Sequence, residues 1–212
     1  MEIINLSEYL PQLISISVIA VLMAISPGAD FIMITRNSIC FSRRAGVFSS
    51  LGVSAALWVH IAYSIAGLAV IISKSIVLFS VLKYAGAAYL IYIGWQTFRS
   101  SNDIELSQAK GSMSSLSAFK IGFVTNVLNP KAPIFFLSIF TQIVTPDTPI
   151  VIQIIYGAII SATHLIWFTI VAVFFTQPKL LQMFNDSKNT IEKFVGGALI
   201  AFGIKVATHT SS

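Results

Sequence analysis

The sequence predicts an all-α membrane protein with six transmembrane helices, arranged as two inverted three-helix repeats. Of its 212 residues 56% are hydrophobic and only 10% are charged, whereas a soluble domain carries about 25% charged residues. A protein with so few charged residues is not expected to have a surface that faces water on all sides, which argues against a soluble protein. The repeat is predicted because similar patterns recur, in the same order, in the two halves of the chain.

Long apolar runs define the predicted spans, since a bilayer core about 30 Å thick needs roughly 20 apolar residues of helix. The spans are 11–35, 47–72, 76–98, 119–144, 150–176 and 191–208. Nothing basic precedes Arg36, so the first segment lacks the charged start of a signal peptide and is expected to be retained. The spans leave little chain over, and we expect one transmembrane domain over 1–212.

The basic residues predict the orientation of the chain in the membrane. Nine of the 13 lysines and arginines fall after the first, third and fifth spans: Arg36, Arg43, Arg44, Arg99, Lys110, Lys120, Lys179, Lys188 and Lys193. Positively charged loops stay in the cytoplasm, so both termini are expected outside. These charges are topology signals, and no nucleic-acid partner is expected.

The two halves of the chain are weakly similar. The segment LKYAGAAYLIYIG (82–94) is similar to EKFVGGALIAFG (192–203), and ISPGADFIMI (25–34) aligns with LNPKAPIFFL (128–137) through their prolines. An odd number of spans in each half would insert the second half in the opposite direction. That is the inverted-repeat architecture of secondary transporters, whose sites lie where paired helices are broken.

The predicted repeats cover about 1–98 and about 119–212, and the polar, serine-rich segment 99–118 is the expected cytoplasmic linker. Gly86 and Gly196 put small residues on the third and sixth spans. Such residues let helix backbones approach closely. We expect them to serve helix packing, and these faces would also permit a homodimer.

The first predicted helix break lies at Pro27-Gly28, with Asp30 within one turn of it. A proline removes a backbone hydrogen bond, and the freed carbonyl needs another partner. An ionised carboxylate at that depth is costly unless it is paired or hydrated. Asp30 would either cap the inner half of the helix near the interface or belong to a binding site.

The second predicted break contains Lys131, near the bilayer midplane, preceded by Asn126, Asn129 and Pro130. These polar groups predict an unwound, hydrated segment. One interpretation is structural, an ion pair with Asp30 that joins the two halves. The other is a site for a zwitterion, in which lysine and helix-end amides bind a carboxylate and Asp30 binds an ammonium. When no substrate is bound, the side chains of Asp30 and Lys131 could pair with each other directly or through water.

His60 and His164 lie in the second and fifth spans, one in each half. They would be proton relays near neutral pH or interhelical hydrogen-bond partners. No metal-ligand spacing and no phosphate-binding loop occurs, so we expect no metal, no cofactor and no ATP-driven pump. Cys40 is the only cysteine, which excludes a dithiol redox pair. Nothing couples a nucleophile to a base, and no enzyme is expected.

With SPGAD (26–30) and TNVLNPKA (125–132) in place, the chain resembles the LysE/RhtB family of bacterial amino-acid exporters over nearly its whole length. The usual form of the first motif is SPGPD, and Ala29 replaces its second proline here. The family motifs correspond to Pro27, Gly28, Asp30, Asn126, Asn129, Pro130 and Lys131.

The resemblance implies secondary active efflux of small neutral amino acids, such as threonine or homoserine, across the bacterial inner membrane. Protons are the implied coupling ion, which would make the protein an antiporter. Alternating access is predicted from the two broken spans, with the halves rocking about a site formed by 27–30 and 126–131. We expect protonation of Asp30, or of a histidine, to couple the cycle. The alternatives are export of another small solute or a metal ion on the same fold, and a membrane assembly factor without transport activity. Metal export would favour a histidine- or acid-rich linker, and 99–118 contains only Asp103 and Glu105.

Overall fold

The structure is a computed structural model that describes residues 6–74, 76–99, 111–129, 131–145 and 147–208. Within these residues a short 3₁₀-helix, Leu6–Tyr9, is followed by α-helices only. They are α1 (Leu10–Ile25), α2 (Ala29–Cys40), α3 (Arg43–Lys74), α4 (Ile76–Phe98), α5 (Ser115–Val127), α6 (Lys131–Ile143), α7 (Ile150–Phe174) and α8 (Pro178–Thr208). The all-α prediction is therefore confirmed for the described residues. Pro130, predicted at the second break, lies outside them.

Three helical stretches of the described chain are long and apolar enough to cross a membrane: Leu6–Ile25, Arg43–Gly67 and Ile150–Phe174. The pair α5 and α6, bent by 59°, makes a fourth if it is counted as one broken span. These overlap the first, second, fourth and fifth predicted spans, although the first was predicted to continue through the break to residue 35. The third and the last predicted spans are not among them, and the last carries Glu192, Lys193 and Lys205.

The break between α1 and α2 lies at the predicted position. Pro27 has no N–H to continue the ladder of α1. Ser26 N–H closes the last turn by donating to Leu22 O at 3.1 Å, and Gly28 is fully extended. α2 then opens with Ile32 N–H donating to Gly28 O at 3.0 Å. Asp30 thereby falls in the first turn of a new helix.

Between α5 and α6 the chain turns with the help of Asn129. Its N–H donates to Asn126 O at 3.1 Å, and its side-chain oxygen accepts the N–H of Lys131 at 3.0 Å. Asparagine favours such turns because its side chain can replace a backbone acceptor. Lys131 is the first residue of α6, so each break ends at the N-terminus of a helix that has a charged side chain in its first turn.

Two helices differ from the sequence prediction. Residues 177–190 were expected to be a loop, but α8 runs without interruption from Pro178 to Thr208. Proline is tolerated in the first turn of a helix because its missing N–H is not needed there. α5 begins at Ser115, inside the predicted linker 99–118, because Ser114 Oγ accepts the N–H of Ser117 at 3.1 Å. Residues 100–110 of that linker lie outside the described part of the chain.

Lys188 was counted among the loop charges, and its assignment is wrong. It lies on α8 with only 7% of its surface exposed, beside Glu192, which is 3% exposed. The two residues are four apart, so they share one face of the helix. That face is turned into the protein, and Lys188 lies on a helix and not in a loop.

Glycines set the closest helix contacts. A Cβ on Gly52 of α3 would collide with the backbone of α5 at Phe119, and a Cβ on Gly122 would collide with Ser49 O. Gly196 of α8 packs in the same way on Gly94 of α4, and Gly86 packs against α6. The packing role expected for Gly86 and Gly196 is thus confirmed, with their partners on different helices.

Gly52→Ala is expected to lower the melting temperature of the purified protein by several degrees. The added methyl group meets backbone atoms of α5, which cannot move aside as a flexible side chain would. Gly67→Ala is the matched control on the same helix, since its methyl group meets nothing within 4 Å. Equal melting temperatures for the two variants would contradict this packing.

The core contains two large apolar clusters that meet near the breaks. One joins α1, α6 and α7 and includes Ile16, Phe140 and Tyr156. The other joins α2, α7 and α8 and includes Phe31 and Phe184, whose rings stack with centroids 4.7 Å apart. The polar segments of the breaks lie between these clusters.

Candidate functional site

A cavity of about 50 Å³ lies between the two helix breaks. This is more than the roughly 10–15 Å³ that one water molecule needs. Its polar lining comes from Ser26, Asp30, Asn126, Asn129, Lys131 and His164. The rest of the lining is Met23, Gly28, Ala29, Phe31, Leu57, Ala132, Phe135, Phe136 and Phe168. Residues about a hundred positions apart in the sequence are thus brought to one small space.

Within the described residues, only one of the two carboxylate oxygens of Asp30 accepts hydrogen bonds. Its Oδ2 accepts hydrogen bonds from Asn126 Nδ2 at 2.9 Å and from Asn129 Nδ2 at 3.5 Å. Its Oδ1 is buried and has no hydrogen-bond partner among the described residues. The start of α2 favours the negative charge at this position. The carboxylate is therefore fixed in place by the second break while one of its oxygens stays available.

Two further oxygen atoms of the lining residues lack partners within the described chain. They are Ser26 Oγ and Asn126 Oδ1, and both are buried. Buried polar atoms in folded proteins are nearly always hydrogen-bonded, and each unsatisfied one costs about 1–3 kcal/mol. Three unsatisfied oxygens on residues that line one cavity indicate a place for a donor-rich group or for water.

Lys131 lines the same cavity but does not pair directly with Asp30. The one ion pair within 4.0 Å that the structure gives for the described residues joins Lys188 and Glu192. The direct Asp30–Lys131 pair is therefore absent from this conformation. Lys131 stands at the N-terminus of α6, where the helix dipole is also positive. A cation and a helix N-terminus together make a site that favours an anion.

The two predicted relay histidines occupy different positions. His164 lines the cavity, and its Nδ1 lies 2.8 Å from Ile160 O. Since a carbonyl only accepts, Nδ1 carries the hydrogen, and the Nε2 of a neutral ring is left as an acceptor. His60 is not part of the lining. It lies behind Asn126, with Nε2 at 3.2 Å from Asn126 O and Nδ1 at 2.7 Å from Tyr63 Oη.

Pro27 shapes the site without lining it, whereas Gly28 is part of the wall. A Cβ on Gly28 would meet nothing within 4 Å. In the part of the chain that the structure describes, no group of three or more histidine, cysteine or acidic residues is placed to hold a metal ion.

The aromatic walls were missed by sequence reasoning. Phe135 and Phe136 follow the second break directly, and Phe168 lies one turn after His164. All three are at most 3% exposed. The run PIFFL after the second break was a signal that could have identified the first two. Phe168 could not be found in this way, because it is one of many apolar residues of α7 and nothing in the sequence distinguishes it.

The family model of the LysE type translocators matches residues 21–210. The chain belongs to this family. The resemblance carried by the SPGAD and NPKA segments is thereby confirmed. The family comprises membrane transporters, and no catalytic activity is indicated. No solved structure was found to match the chain.

Relatives with similar sequences include several named efflux proteins. The threonine efflux protein of Salmonella typhi is 30% identical over 200 residues, which cover 90% of this chain and 94% of that protein. The homoserine/homoserine lactone efflux protein of Salmonella typhimurium is 30% identical over 186 residues, covering 84% and 90%. The membrane protein YrhP of Bacillus subtilis is 33% identical over 197 residues, covering 88% and 94%.

Proposed function

We propose that the chain is a secondary active exporter of small neutral amino acids, such as threonine or homoserine, across the bacterial inner membrane. The observation that carries this proposal is that Asp30 and Lys131 line one cavity without pairing with each other. The carboxylate of Asp30 and the ammonium of Lys131 are opposite charges that do not pair with each other. They match the ammonium and the carboxylate of an amino acid. The names of the threonine and homoserine efflux relatives support the same substrate class.

The Asp30 side of the cavity suits the ammonium group of such a substrate. Asp30 Oδ1, Ser26 Oγ and Asn126 Oδ1 are the three oxygens without partners. An ammonium group has three N–H donors and no acceptor, so it would satisfy all three. Its positive charge would also balance the carboxylate of Asp30.

The Lys131 side suits the carboxylate group. The side-chain ammonium of Lys131 and the positive end of α6 act in the same direction there. A bound carboxylate would therefore be stabilised twice, by the lysine charge and by the helix.

The remainder of the lining favours a neutral side chain. Asp30 and Lys131 are its only acidic and strongly basic members among the described residues, and its walls are Leu57, Phe135, Phe136 and Phe168. A lysine or arginine substrate would bring a second positive charge with no carboxylate to balance it. Burying an unpaired charge is costly.

An inverted repeat with six spans is part of the proposal, and reciprocal contacts support it. Ser54 and Ser161 lie at similar places in α3 and α7, with their hydroxyl oxygens 2.7 Å apart. Each hydroxyl also lies within hydrogen-bond distance of the other residue's carbonyl, at 3.4 and 3.2 Å. A contact that two equivalent residues make with each other is what a two-fold axis produces.

A second reciprocal contact joins α4 and α8, the proposed third and sixth spans. A Cβ on Gly94 would meet Gly196 O, and a Cβ on Gly196 would meet Gly94 O. Gly203, which stands opposite Ile93 when Gly86 is aligned with Gly196, contacts Ala87, the neighbour of Gly86. In this mechanism the halves rock about the cavity and open it to each side in turn, with both termini outside.

Proton coupling completes the proposed cycle. Asp30 is the carboxylate that borders the cavity and contacts both asparagines of the second break. A proton bound there would remove the charge that holds the substrate ammonium, so proton and substrate would compete for one site. His164 is the alternative proton carrier, because its ring also lines the cavity.

Counterflow in proteoliposomes tests the proposed substrate class. Vesicles are preloaded with unlabelled threonine, and the entry of labelled threonine, homoserine, leucine or lysine is followed. We expect accumulation of a neutral amino acid and none of lysine. The proposal fails if correctly inserted protein exchanges none of the four, or exchanges only lysine.

A further inference from the structure

The proline of the second break leaves the backbone carbonyl of Asn126 without its usual helix partner. In a continuous helix this carbonyl would accept the N–H of the residue four positions later. That residue is Pro130, which has no N–H. Asn129 N–H donates one hydrogen bond to the carbonyl at 3.1 Å, and the oxygen has a second lone pair to offer. Within a membrane, groups on neighbouring helices take over such freed carbonyls.

The second partner of this carbonyl is His60 of α3. Its Nε2 lies 3.2 Å from Asn126 O, and the residue is only 1% exposed. Because a carbonyl only accepts, Nε2 carries the hydrogen, and Nδ1 of the neutral ring is left as an acceptor. Nδ1 lies 2.7 Å from the hydroxyl oxygen of Tyr63, which donates to it. Tyr63 thereby fixes the tautomer in which His60 can donate to the break.

His60 contacts both helices of the second break. Besides the carbonyl near the end of α5, its ring stacks on Phe136 of α6, with centroids 5.7 Å apart and planes inclined by 26°. Phe136 lines the cavity. On the other side of the bound residue, Asn126 Nδ2 donates to Asp30 Oδ2 at 2.9 Å. A continuous series of hydrogen bonds therefore runs from Tyr63 through His60 and Asn126 to the carboxylate.

We propose that His60 is a positioning residue, which replaces the N–H missing at Pro130 and thereby holds the amide of Asn126 against Asp30. This inference rests on the proposed function, in which Asp30 binds the substrate ammonium. A fixed Asn126 keeps one carboxylate oxygen of Asp30 bound and leaves the other available for the substrate. His60 carries no coupling proton in this arrangement, because both of its ring nitrogens serve the break.

Replacement of His60 by two different amides tests the positioning role. The amide nitrogen of glutamine can take the place of Nε2, whereas the shorter asparagine reaches only the place of Nδ1. We expect His60→Asn to raise the threonine concentration for half-maximal counterflow about fivefold to tenfold, with a smaller change in the maximal rate, because the bond that holds Asn126 is lost. His60→Gln should stay within about twofold of the wild type, since that bond is kept. Equal values for the two variants would overturn the proposal.

The glutamine variant also separates positioning from proton transfer. Glutamine donates hydrogen bonds but has no group that titrates near neutral pH. Tyr63, which faces the ring directly, and Asp30, which lies beyond Asn126, both remain in this variant. We therefore expect His60→Gln to keep the wild-type response of counterflow to a pH gradient. Exchange that no longer responds would assign the proton to His60 and overturn the proposal.

A melting-temperature cycle tests the relation to Pro130 without any substrate. The wild type, His60→Asn, Pro130→Ala and the double variant are compared in detergent. Because Pro130→Ala restores a backbone N–H, we expect His60→Asn to lower the melting temperature less in that background than alone. Insertion of His60→Asn only together with Pro130→Ala would be the same result in a stronger form. Equal losses, or failure to insert in both backgrounds, would overturn the proposal.

These measurements distinguish failure of the inference from failure of the proposed function. A wild type that exchanges none of the four amino acids refutes the transport proposal, while the melting cycle still decides whether His60 replaces the N–H missing at Pro130. If the wild type exchanges threonine and His60→Asn does so with the same half-maximal concentration, the positioning role alone is wrong.

Discussion

Lys131→Met is expected to abolish amino-acid counterflow, by about a hundredfold or more, because a buried charge pair that loses one partner is weakened by several kcal/mol. Methionine keeps much of the length and the apolar stem of lysine. The substrate carboxylate would then face only the N-terminus of α6 and an apolar wall. The measurement is the initial rate of labelled threonine entry into proteoliposomes, normalised to inserted protein.

Lys205→Met is the matched control for this variant. Lys205 is an exposed residue in the last turn of α8, so its loss should leave counterflow unchanged. If Lys131→Met takes up labelled threonine at the wild-type rate, the substrate carboxylate does not bind at Lys131. That result would contradict the proposed site. The assembly-factor alternative also requires that Lys131→Met be tolerated.

Asp30→Asn is the second change with a large expected effect. The amide is the same size and can still accept hydrogen bonds, but it cannot balance the substrate ammonium or take up a proton. We expect counterflow to fall by about tenfold or more, since hydrogen bonds to a charged group are worth about 1.5–3 kcal/mol. Remaining exchange should no longer respond to a pH gradient across the vesicle membrane.

Asp186→Asn serves as the control for Asp30→Asn, because Asp186 lies exposed on α8. The two readings of Asp30 can be separated in the same experiment. A variant that exchanges slowly but keeps the wild-type pH dependence would retain Asp30 as a binding residue and exclude it as the coupling group. The proton would then have to be carried elsewhere, with His164 the residue to test next.

The residues of the two breaks could be predicted because membranes penalise them strongly. Pro27, Asp30 and Lys131 are exceptional in apolar helices, so each one demands a local explanation from sequence alone. The meeting of Asp30 and Lys131 in one cavity could be expected from the paired breaks. The orientation of Asp30 toward Asn126 and Asn129, and away from an ion pair with Lys131, depends on packing that no local pattern encodes.

The buried pair on α8 could not be predicted as easily. The sequence NDSKNT (185–190) is polar and is typical of a loop, and its helical structure places only one of its faces inside. The signal that could have found the pair was the four-residue spacing of Lys188 and Glu192. The polar residues around Lys188 outweighed this spacing and favoured the prediction of a loop.

The alignment of the two breaks also explains why the proposed site is asymmetric. When Pro27 is aligned with Pro130, Gly28 matches Lys131 and Asp30 matches Pro133. Each half therefore contributes a broken helix, but only one supplies the acid and only the other supplies the base. The proposed repeat would then be symmetric in architecture and asymmetric in charge, which suits a substrate with two different ends.

The central claim is that Asp30 binds the ammonium and Lys131 the carboxylate of one substrate. It is tested most directly by competition with two analogues, N-acetylthreonine and threonine amide, each lacking one charge. Inhibition of labelled threonine counterflow by each analogue is measured for the wild type, and competition for threonine binding to purified protein is measured for the wild type and both variants. We predict that the wild type rejects both analogues relative to threonine. Lys131→Met should stop discriminating against the amide, and Asp30→Asn against the acetyl compound. If both variants discriminate as the wild type does, neither residue contacts the substrate charges, and the proposed site is wrong.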